Sequence, residues 1–384
     1  MPVRTVRLRV LMTADAVGGV WPYAVDLADG LSREGVEVTL ALLGPPASDA
    51  QRAQAEAAGC RLIDTGLPLD WLAETPDAVL AAGEALARLA GLAGADLVHL
   101  HSPAFAAAGG FDVPVVAVCH SCVATWWWAL EPGPLPPDLA WRRDLVALGC
   151  ERADALLAPS AAFAAATAGA YGLPRQPTVV RNGRRTPAWP NSPDDAGHYP
   201  ARYPAPFAFT AGRLWDRAKN VAALDRVAAL SIMPVRAAGP TEGPHGERIR
   251  LIHLARLGPL DDAGVAAQLR ERPVFVSLAR YEPFGLAVLE AAQAGCALVL
   301  SDIPTFRELW DGAAVFVDPA ETTAAAGILD ALATDSDRHL DLGDAARAHA
   351  ARYGMAAATA GVLRAFETVL TGRRLAVSLD GAAA

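Results

Sequence analysis

The chain has 384 residues, of which 53% are hydrophobic and 20% are charged, and its formal net charge is −9. This length is long for one hydrophobic core and is typical of two domains of ordinary size. The acidic balance argues against a nucleic-acid-binding surface, and no stretch approaches a charge-free membrane span.

The cysteines bear on the compartment. There are five of them, an odd number, in a long chain without a secretory signal, so a disulfide framework is not expected. A cytoplasmic location is predicted, and peripheral contact with the inner face of the membrane is left open.

The first segment predicts the order strand, glycine turn, helix, strand. A strand at Val6–Met12 is followed by Gly18 and Gly19, by a helix with an apolar face, and by a strand at Val36–Leu42. Glycine lets a ligand approach the backbone closely because it has no Cβ. The spacing does not match the G-x-G-x-x-G dinucleotide fingerprint, and a plain tight turn is the alternative explanation of the two glycines.

Two histidines follow predicted strands. His101 ends the segment Asp96–Ser102, and His120 follows the apolar run Val115–Val118. Ligands of open α/β sheets bind outside the carboxyl ends of the strands, so both are candidates for a binding cleft, with a structural histidine as the alternative. His99 lies further down its strand and is predicted to be buried.

A cysteine pair and three indoles surround and follow the second histidine. Cys119 and Cys122 flank His120 and could form a redox or metal motif, but no second C-x-x-C pair completes a zinc site, and no metal is expected. Trp126, Trp127 and Trp128 follow in a predicted loop. Three adjacent indoles cannot all face one core, and aromatic faces stack on sugar rings and apolar ligands. A protein interface or a peripheral membrane anchor is the alternative.

The proline-rich stretch after residue 185 is typical of a linker. Strands and helices alternate on both sides of it, which predicts parallel sheets covered on both faces. In the second half, strands are predicted at Phe207–Ala211, Met233–Ala238, Arg250–Leu254 and Val274–Leu278. The predicted division is an N-terminal domain over 1–185, a linker over 186–206, a second domain over 207–354, and a C-terminal helix and tail over 355–384.

Two carboxylates bracket the start of a helix in the second half. Glu282 lies in the loop after the strand Val274–Leu278, and Glu290 lies on the helix that begins after Gly285. A helix N-terminus carries partial positive charge and can seat a phosphate. Carboxylates on either side can accept hydrogen bonds from vicinal hydroxyls. This pattern points to sugar-nucleotide chemistry.

The Glu282–Glu290 stretch resembles the E(x7)E signature of retaining glycosyltransferases of the family 4 type. These have the GT-B fold, in which two Rossmann-like α/β domains face across a cleft and a C-terminal helix crosses back to the first domain. Further segments resemble the family in the same order: Val17–Val20, Val115–Ser121, Ala158–Ser160 with Val179–Gly183, and Ala211–Leu214 with Lys219-Asn220.

The resemblance implies a role for each candidate residue. Arg213 and Lys219 would hold the donor diphosphate, Glu282 the hydroxyls of the donor sugar, and His120 a donor hydroxyl or the acceptor. The implied catalytic set is Arg213, Lys219, Glu282 and His120; the donor-binding set is Gly18, Gly19, Phe284, Gly285, Leu286 and Glu290; the acceptor-binding set is His101, Trp126, Trp127 and Trp128. Glu290 would bind the nucleotide ribose.

The implied reaction moves a sugar from a nucleoside-diphosphate sugar to an acceptor hydroxyl with retention at the anomeric carbon. No metal and no separate cofactor are implied; UDP is assumed as the donor nucleotide. The acceptor is a small molecule, a glycan or a lipid-linked sugar, and no nucleic acid takes part. A sugar-nucleotide epimerase of the same fold and a non-catalytic nucleotide-sugar-binding protein are the alternatives. Ser277–Arg280 and Ile303–Phe306 depart from the family pattern.

Overall fold

A computed structural model describes residues 7–185 and 206–382, with side chains through residue 373. The predicted linker at 186–206 therefore lies outside the described residues except for Pro206. The chain divides into two units, the first formed by Met1–Gly183 with Met355–Ala384 and the second by Arg184–Gly354.

The first unit is built on a parallel sheet of seven strands in the order β3-β2-β1-β4-β5-β6-β7. Its strands are β1 (Arg9–Asp15), β2 (Glu37–Leu43), β3 (Arg61–Asp64), β4 (Leu97–Leu100), β5 (Val115–Val118), β6 (Ala155–Ala158) and β7 (Thr178–Val179). Its helices before the second unit are α1 (Val20–Arg33), α2 (Asp49–Ala57), α3 (Pro76–Leu92), α4 (Val123–Leu130), α5 (Pro137–Arg152) and α6 (Ala161–Tyr171). The apolar strands are buried on both faces, as expected for a sheet covered by helices.

The second unit contains a parallel sheet of six strands in the order β10-β9-β8-β11-β12-β13. Its strands are β8 (Ala208–Ala211), β9 (Val235–Ala238), β10 (Ala255–Gly258), β11 (Val274–Ser277), β12 (Ala297–Ser301) and β13 (Val315–Val317). Its helices are α7 (Val221–Leu230), α8 (Asp262–Arg270), α9 (Leu286–Gln293), α10 (Pro304–Trp310), α11 (Thr322–Thr334) and α12 (Ser336–Ala350). The prediction of two α/β units with parallel sheets is confirmed.

The last helix, α13 (Met355–Ala382), follows the second unit in sequence and packs in the first. Val362 and Phe366 are fully buried, as predicted for its apolar stripe. Its contact with α1 is close: a Cβ on Gly30 would lie 2.2 Å from the hydroxyl oxygen of Thr359. Within the described residues, no helix combines the length and the apolar character that crossing a bilayer requires.

The strand predicted at Arg250–Leu254 is wrong. The carboxylate of Asp225 on α7 accepts hydrogen bonds from the backbone N–H groups of Ile252, His253 and Leu254, at 2.9 to 3.0 Å from its Oδ1. These N–H groups are therefore not available to a sheet. The strand, β10, begins after them at Ala255. Burial opposes ionisation of Asp225, but these hydrogen bonds outweigh it and lower the pKa of the carboxyl.

Other boundaries also differ from the predictions. The first strand runs over Arg9–Asp15 rather than ending at Met12, because its pairing with β2 continues to Asp15 opposite Leu43; Val6, where the strand is predicted to begin, lies outside the described residues. The indoles predicted to lie in a loop are in helix α4, which begins after the extended residue Cys122. The shift of β1 brings Asp15 to the carboxyl end of the sheet, next to the glycine loop.

Candidate functional site

Arg213 follows β8 and lies in a turn that its own neighbours hold in place. Its Nη2 donates to Asp216 Oδ2 at 2.9 Å, and Asp216 Oδ1 accepts from the N–H of Ala218 at 2.9 Å. Asp216 is buried, whereas the Arg213 side chain is 40% exposed. Among the described residues, no hydrogen-bond partner reaches the buried Nε of Arg213. The guanidinium is thus oriented by one carboxylate and keeps donor capacity.

Lys219 and Glu282 are brought together by hydrogen bonds between two loops. Lys219 ends a short 3-10 helix, Arg217–Lys219, and its Nζ donates to Glu282 Oε2. The amide of Asn220 donates to the carbonyl of Leu278 at 2.9 Å, and the N–H of Arg280 donates to the carbonyl of Ala218 at 2.8 Å. Both charged side chains are partly buried. The ammonium is therefore fixed in position next to the loop that precedes α9.

Helix α9 begins at a position that only glycine occupies easily. Gly285 has φ +90°, and a Cβ there would lie 3.2 to 3.3 Å from atoms of Phe306, Glu282 and Val288. Its left-handed backbone turns the loop of Glu282 directly into the helix. The first turn of α9 contains no acidic side chain. An anion at this N-terminus would meet the positive end of the helix dipole without a competing carboxylate in that turn.

Phe284 and Leu286 flank this glycine, but their side chains pack in the core of the second unit. Phe284 is 3% exposed, and its ring meets the ring of Tyr353 edge-on at 5.7 Å between centroids. Leu286 is partly buried against the same core. Their role in donor binding stays a prediction, and for Phe284 it concerns the backbone groups, because its aromatic ring is committed to packing.

Glu290 pairs with a residue that the sequence did not predict. Its Oε1 accepts from Arg184 Nε at 2.7 Å, and the carbonyl of Arg184 accepts from Gln293 Nε2 at 3.2 Å. Arg184 comes directly after Asn182-Gly183, so a basic residue following that turn was the available signal. The pair is mostly buried. It fixes the rotamer of the carboxylate predicted to bind the ribose.

In the first unit, the glycine loop is held from several sides. Asp15, at the end of β1, accepts from the N–H of Val17 at 2.7 Å and from Trp71 Nε1 at 3.2 Å. Gln51 Nε2 donates to the carbonyl of Ala16 at 3.2 Å. Gly19 is the N-cap of α1 with a right-handed backbone, φ −64°. A left-handed turn therefore does not explain this glycine.

Three histidines and a tyrosine form what we term the histidine cluster: His99, His101, His120 and Tyr23. The His101 ring lies 5.1 Å from that of His120, and Tyr23 on α1 lies 4.8 Å from His120 and 5.4 Å from His101. His99 is fully buried, as predicted, with its ring 5.0 Å from His101 and 5.3 Å from Phe366. The N–H of His101 donates to Thr13 Oγ1 at 2.8 Å.

The imidazoles of the histidine cluster are neutral near pH 7. Burial lowers the pKa of His120 to about 4 and that of His99 to about 3, and it holds the pKa of His101 well below its usual range. Within the described part of the chain, both ring nitrogens of His101 and the Nε2 of His120 are buried without a hydrogen-bond partner. Unpartnered buried polar atoms call for an explanation, and a ligand that supplies the partners is one.

These pKa shifts predict acid sensitivity. In the unfolded chain a histidine has a pKa near 6.5, so below this pH the unfolded state binds more protons than the folded state. The free energy of unfolding therefore decreases as the pH is lowered. Each buried histidine contributes a slope of up to about 1.4 kcal/mol per pH unit, until its folded pKa is reached. Replacing His99 with phenylalanine is expected to remove about this much from the slope between pH 6 and 4.5.

The measurement for His99→Phe is urea unfolding at several pH values, followed by tryptophan fluorescence. Six of the nine tryptophans are in the first unit, at positions 21, 71, 126, 127, 128 and 141, so its transition dominates the signal. Any packing change from the substitution shifts stability at all pH values and leaves the slope unaffected. His245→Asn, at an exposed site in the second unit, is the control. An unchanged slope in His99→Phe would contradict the neutral burial of His99.

The indoles of α4 point in different directions, as expected for consecutive positions on a helix. Trp128 is 48% exposed, whereas Trp126 and Trp127 are partly buried with ring centroids 6.4 Å apart. The buried Nε1 of Trp127 has no hydrogen-bond partner within the ranges that the structure covers. Their role in acceptor binding stays a prediction.

Asp70 is another residue near the candidate site that the sequence did not predict. Asp70 Oδ2 accepts from the hydroxyl of Ser102 at 2.6 Å, next to His101 in sequence. Burial raises the pKa of the Asp70 carboxyl, although the bond from Ser102 opposes this shift. In the described ranges, no three His, Cys, Asp or Glu side chains are grouped in a way that could hold a metal ion.

Two family models match the chain. The model described as Glycosyltransferase Family 4 matches residues 17–187, and the model described as Glycosyl transferases group 1 matches residues 253–349. The first range contains the glycine loop and the histidine cluster, and the second contains Glu282 and Glu290.

Curated relatives match over part of their length. The chain is 36% identical over 142 residues to the phosphatidyl-myo-inositol mannosyltransferase of Mycobacterium tuberculosis, covering 34% of the chain and 37% of the relative. It is 32% identical over 228 residues to the glycogen synthase of the same organism, covering 54% and 52%. The matches thus span about a third to a half of these relatives.

A solved structure matches over nearly the whole chain. The structure of Anabaena Alr3699/HepE in complex with UDP-glucose has a TM-score of 0.71 at 19% identity, covering 94% of this chain and all of that one. At this identity the likeness shows the fold, which is GT-B.

Proposed function

Since the chain belongs to family 4 of the glycosyltransferases, we propose that it transfers a sugar from a nucleoside-diphosphate sugar to an acceptor hydroxyl with retention of configuration. The observation that carries the proposal is the arrangement around α9 in the second unit. Arg213 and Lys219 supply fixed cations, and Glu282 and Glu290 lie on either side of the N-terminus of the helix. Cations for a diphosphate and carboxylates for vicinal hydroxyls are what a nucleotide sugar requires.

The proposed reaction breaks the bond between the anomeric carbon and the β-phosphate oxygen. A bond to the acceptor oxygen forms on the same face of the sugar, and the acceptor proton passes to an oxygen of the departing phosphate. No side chain acts as a covalent nucleophile. The negative charge that develops on the diphosphate is stabilised by Lys219, by Arg213 and by the N-terminus of α9. Preorganised charges of this kind cost no reorganisation during the reaction.

The histidine cluster fits a hydrogen-bonding role in this reaction. A neutral imidazole can donate through one nitrogen and accept through the other. His101 and His120 have buried nitrogens without partners in the described chain, and both follow strands at the carboxyl edge of the sheet. We assign His120 to a hydroxyl of the donor sugar or of the acceptor, and His101 to the acceptor.

The relatives suggest classes of substrate. A phosphatidyl-myo-inositol mannosyltransferase acts on a lipid acceptor by its name, and a glycogen synthase on a glycan. The HepE structure holds UDP-glucose. We propose a UDP-sugar donor and a glycan or lipid-linked acceptor. With a lipid-linked acceptor, the protein would work at the inner face of the membrane, and Trp128 is exposed to contact either acceptor or bilayer.

A thermal-shift panel of UDP, GDP, ADP, TDP and their sugar conjugates tests the donor site. A ligand at 100 times its Kd adds about 2.7 kcal/mol to the stability of the unit that binds it. This corresponds to roughly 5 to 10 °C for a unit of this size. UDP and a UDP-sugar are expected to give such a shift, and the other nucleotides are expected to give much smaller ones.

The variant Glu290→Ala makes the panel specific for the site. Loss of hydrogen bonds to a charged group costs about 1.5 to 3 kcal/mol, so most of the shift should disappear at the same ligand concentration. Glu271→Ala, at an exposed position after α8, is the matched control and should keep the shift. Release of free nucleoside diphosphate only with an acceptor present would then support the transfer. A full shift in Glu290→Ala, or no shift with any nucleotide, would contradict the assignment.

A further inference from the structure

Cys119 and Cys122 form a thiol pair that the proposed reaction does not use. Cys119 follows β5, and Cys122 is the N-cap of α4, with His120 between them. Both are buried; Cys119 Sγ donates to the carbonyl of Ser121 at 3.7 Å, and each thiol shifts the pKa of the other. The pair therefore spans the junction of a strand and a helix at the carboxyl edge of the sheet, where the histidine cluster lies.

The surroundings of Cys122 favour its thiolate form. Its Sγ lies 2.9 Å from Thr125 Oγ1 in the first turn of α4, where the helix dipole is positive. Burial opposes ionisation, but hydrogen bonds from Cys119 and Thr125 outweigh it and lower the pKa of Cys122. The hydrogen bond to Cys122 and burial raise the pKa of Cys119. The two sulfurs therefore differ in acidity. Cys122 is suited to attack an oxidant as a thiolate, and Cys119 remains a thiol that can react in the second step.

Of the two cysteines, Cys122 is the one that solvent still reaches, whereas Cys119 is fully buried. Ser121, between His120 and Cys122, is exposed, and Cys122 retains 6% of its accessible surface. Cys150 on α5 is a third thiol close enough to act electrostatically on Cys119. Burial raises the pKa of Cys150 to about 12, and the pKa of Cys119 is raised as well, so acidity does not separate the two thiols; Cys119 is three residues from Cys122 in the same strand-to-helix turn, whereas Cys150 lies on α5. Cys119 is then the resolving partner that the geometry offers to Cys122.

We propose that Cys119 and Cys122 are a reversible redox site that closes to an intramolecular disulfide on reaction with a hydroperoxide. The Cys122 thiolate attacks the peroxide oxygen and becomes a sulfenic acid, and with one proton taken up the peroxide leaves water or an alcohol. The sulfur of Cys119 then attacks the sulfenic sulfur and displaces water. Two thiols are oxidised by two electrons, and the peroxide is reduced by two. A dithiol reverses the step by exchange.

The disulfide has a consequence for the site. It closes a short backbone loop that contains His120. The contacts of the His120 imidazole with Tyr23 and His101 depend on the conformation of this loop, which the disulfide constrains. Oxidation is therefore expected to displace His120 and lower transfer at least tenfold. This consequence rests on the proposed function, whereas the formation of the disulfide does not.

Peptide mass spectrometry tests the disulfide directly. The protein is treated with hydrogen peroxide, denatured in N-ethylmaleimide and digested with trypsin. The tryptic peptide from Leu89 to Arg142 contains Cys119 and Cys122 and no other cysteine. After peroxide treatment, this peptide is expected to carry no maleimide and to be two hydrogens lighter than the unmodified reduced peptide. When the oxidised protein is first reduced with dithiothreitol and then alkylated, the peptide is expected to carry two maleimide groups. Cys296→Ser, a buried cysteine of the second unit, is the matched control and should behave as the parent.

Several results would overturn the proposed site. Full double alkylation after peroxide would show that the pair does not react. Cross-linking of this peptide to Asp144–Arg152, which contains Cys150, would assign a different partner. Sulfinic acid at Cys122 with Cys119 alkylated would exclude a resolving role for Cys119. Because these results come from the parent protein, they do not depend on whether a cysteine variant folds.

Nucleotide release with and without peroxide tests the consequence. The parent is expected to lose at least tenfold in rate and to recover with dithiothreitol, and Cys119→Ser should resist the reversible loss. A disulfide without loss of rate would support the redox site and overturn its link to His120. If the reduced protein has no transferase activity with any donor, the proposed function fails, while the mass measurement still decides the redox site.

Discussion

Replacing Lys219 with alanine is expected to lower the turnover number about 100- to 1000-fold, which corresponds to roughly 3 to 4 kcal/mol of lost transition-state stabilisation. The ammonium of Lys219 is held by Glu282 next to the N-terminus of α9. Because negative charge on the diphosphate grows as the sugar leaves, removal of this cation affects the transition state more than the bound donor. The value of kcat should therefore fall more than the KM for the donor rises.

Initial rates of nucleoside diphosphate release check this expectation, with thermal unfolding as a measure of integrity. Arg217→Ala is the matched control, because Arg217 is an exposed cation of the same 3-10 turn. It should leave turnover within about twofold of the parent, since exposed charges away from the reacting group contribute little. Full turnover in Lys219→Ala with the normal donor would show that the leaving group is stabilised elsewhere.

The variant Glu282→Gln separates two roles of the carboxylate. If Glu282 acts through donor-sugar hydroxyls, its loss should raise the KM for the donor. With a deoxy-sugar donor that lacks the contacted hydroxyl, the parent and the variant should then have the same KM. If it acts by holding Lys219, glutamine should reproduce the fall in kcat of Lys219→Ala. The two losses in the double variant would then not add, because both remove one interaction.

The sequence is sufficient to predict the fold because the alternation of apolar strands and helices is local and regular. The order strand, glycine turn, helix is predicted correctly at Gly18-Gly19, and the apolar run before His120 is the buried strand β5. The position of Glu282 in the loop between the strand β11 and the helix α9 is also as predicted. These features depend on local pattern, and local pattern predicts them.

The errors lie where distant side chains override local pattern. The segment before β10 has a strand-like composition, but Asp225 takes its N–H groups, and nothing in the segment indicates a carboxylate 27 residues away. The pair Arg184–Glu290 joins residues 106 positions apart. The tryptophans of α4 are predicted in a loop followed by several prolines, whereas the helix ends at Leu130, before the first of them. The neutral state of the histidine cluster depends on burial, which follows only from the packed fold.

Replacement of Gly149 with alanine is expected to destabilise the first unit by about 4 kcal/mol or more. Gly149 lies on α5, and a Cβ there would be 1.8 Å from the carbonyl oxygen and 2.5 Å from the carbonyl carbon of Pro103. Pro103 begins the 3-10 helix Pro103–Ala108, which packs backbone to backbone against α5. Alanine has the better helix propensity by about 1 kcal/mol, so the close approach must dominate for the variant to be unstable.

The same contact connects packing to the candidate site. Pro103 follows His101 and Ser102, so a forced shift of this 3-10 helix would move the imidazole and the hydroxyl that bonds Asp70. Urea unfolding followed by tryptophan fluorescence measures the stability loss. The matched control is Gly169→Ala on α6, a helical glycine at which an added Cβ would meet no atom within 4 Å. It should be neutral or stabilised by up to about 1 kcal/mol through helix propensity. Equal effects of the two substitutions would mean that α5 and the 3-10 helix do not approach as closely as the structure places them, and the position of His101 would have to be revised with them.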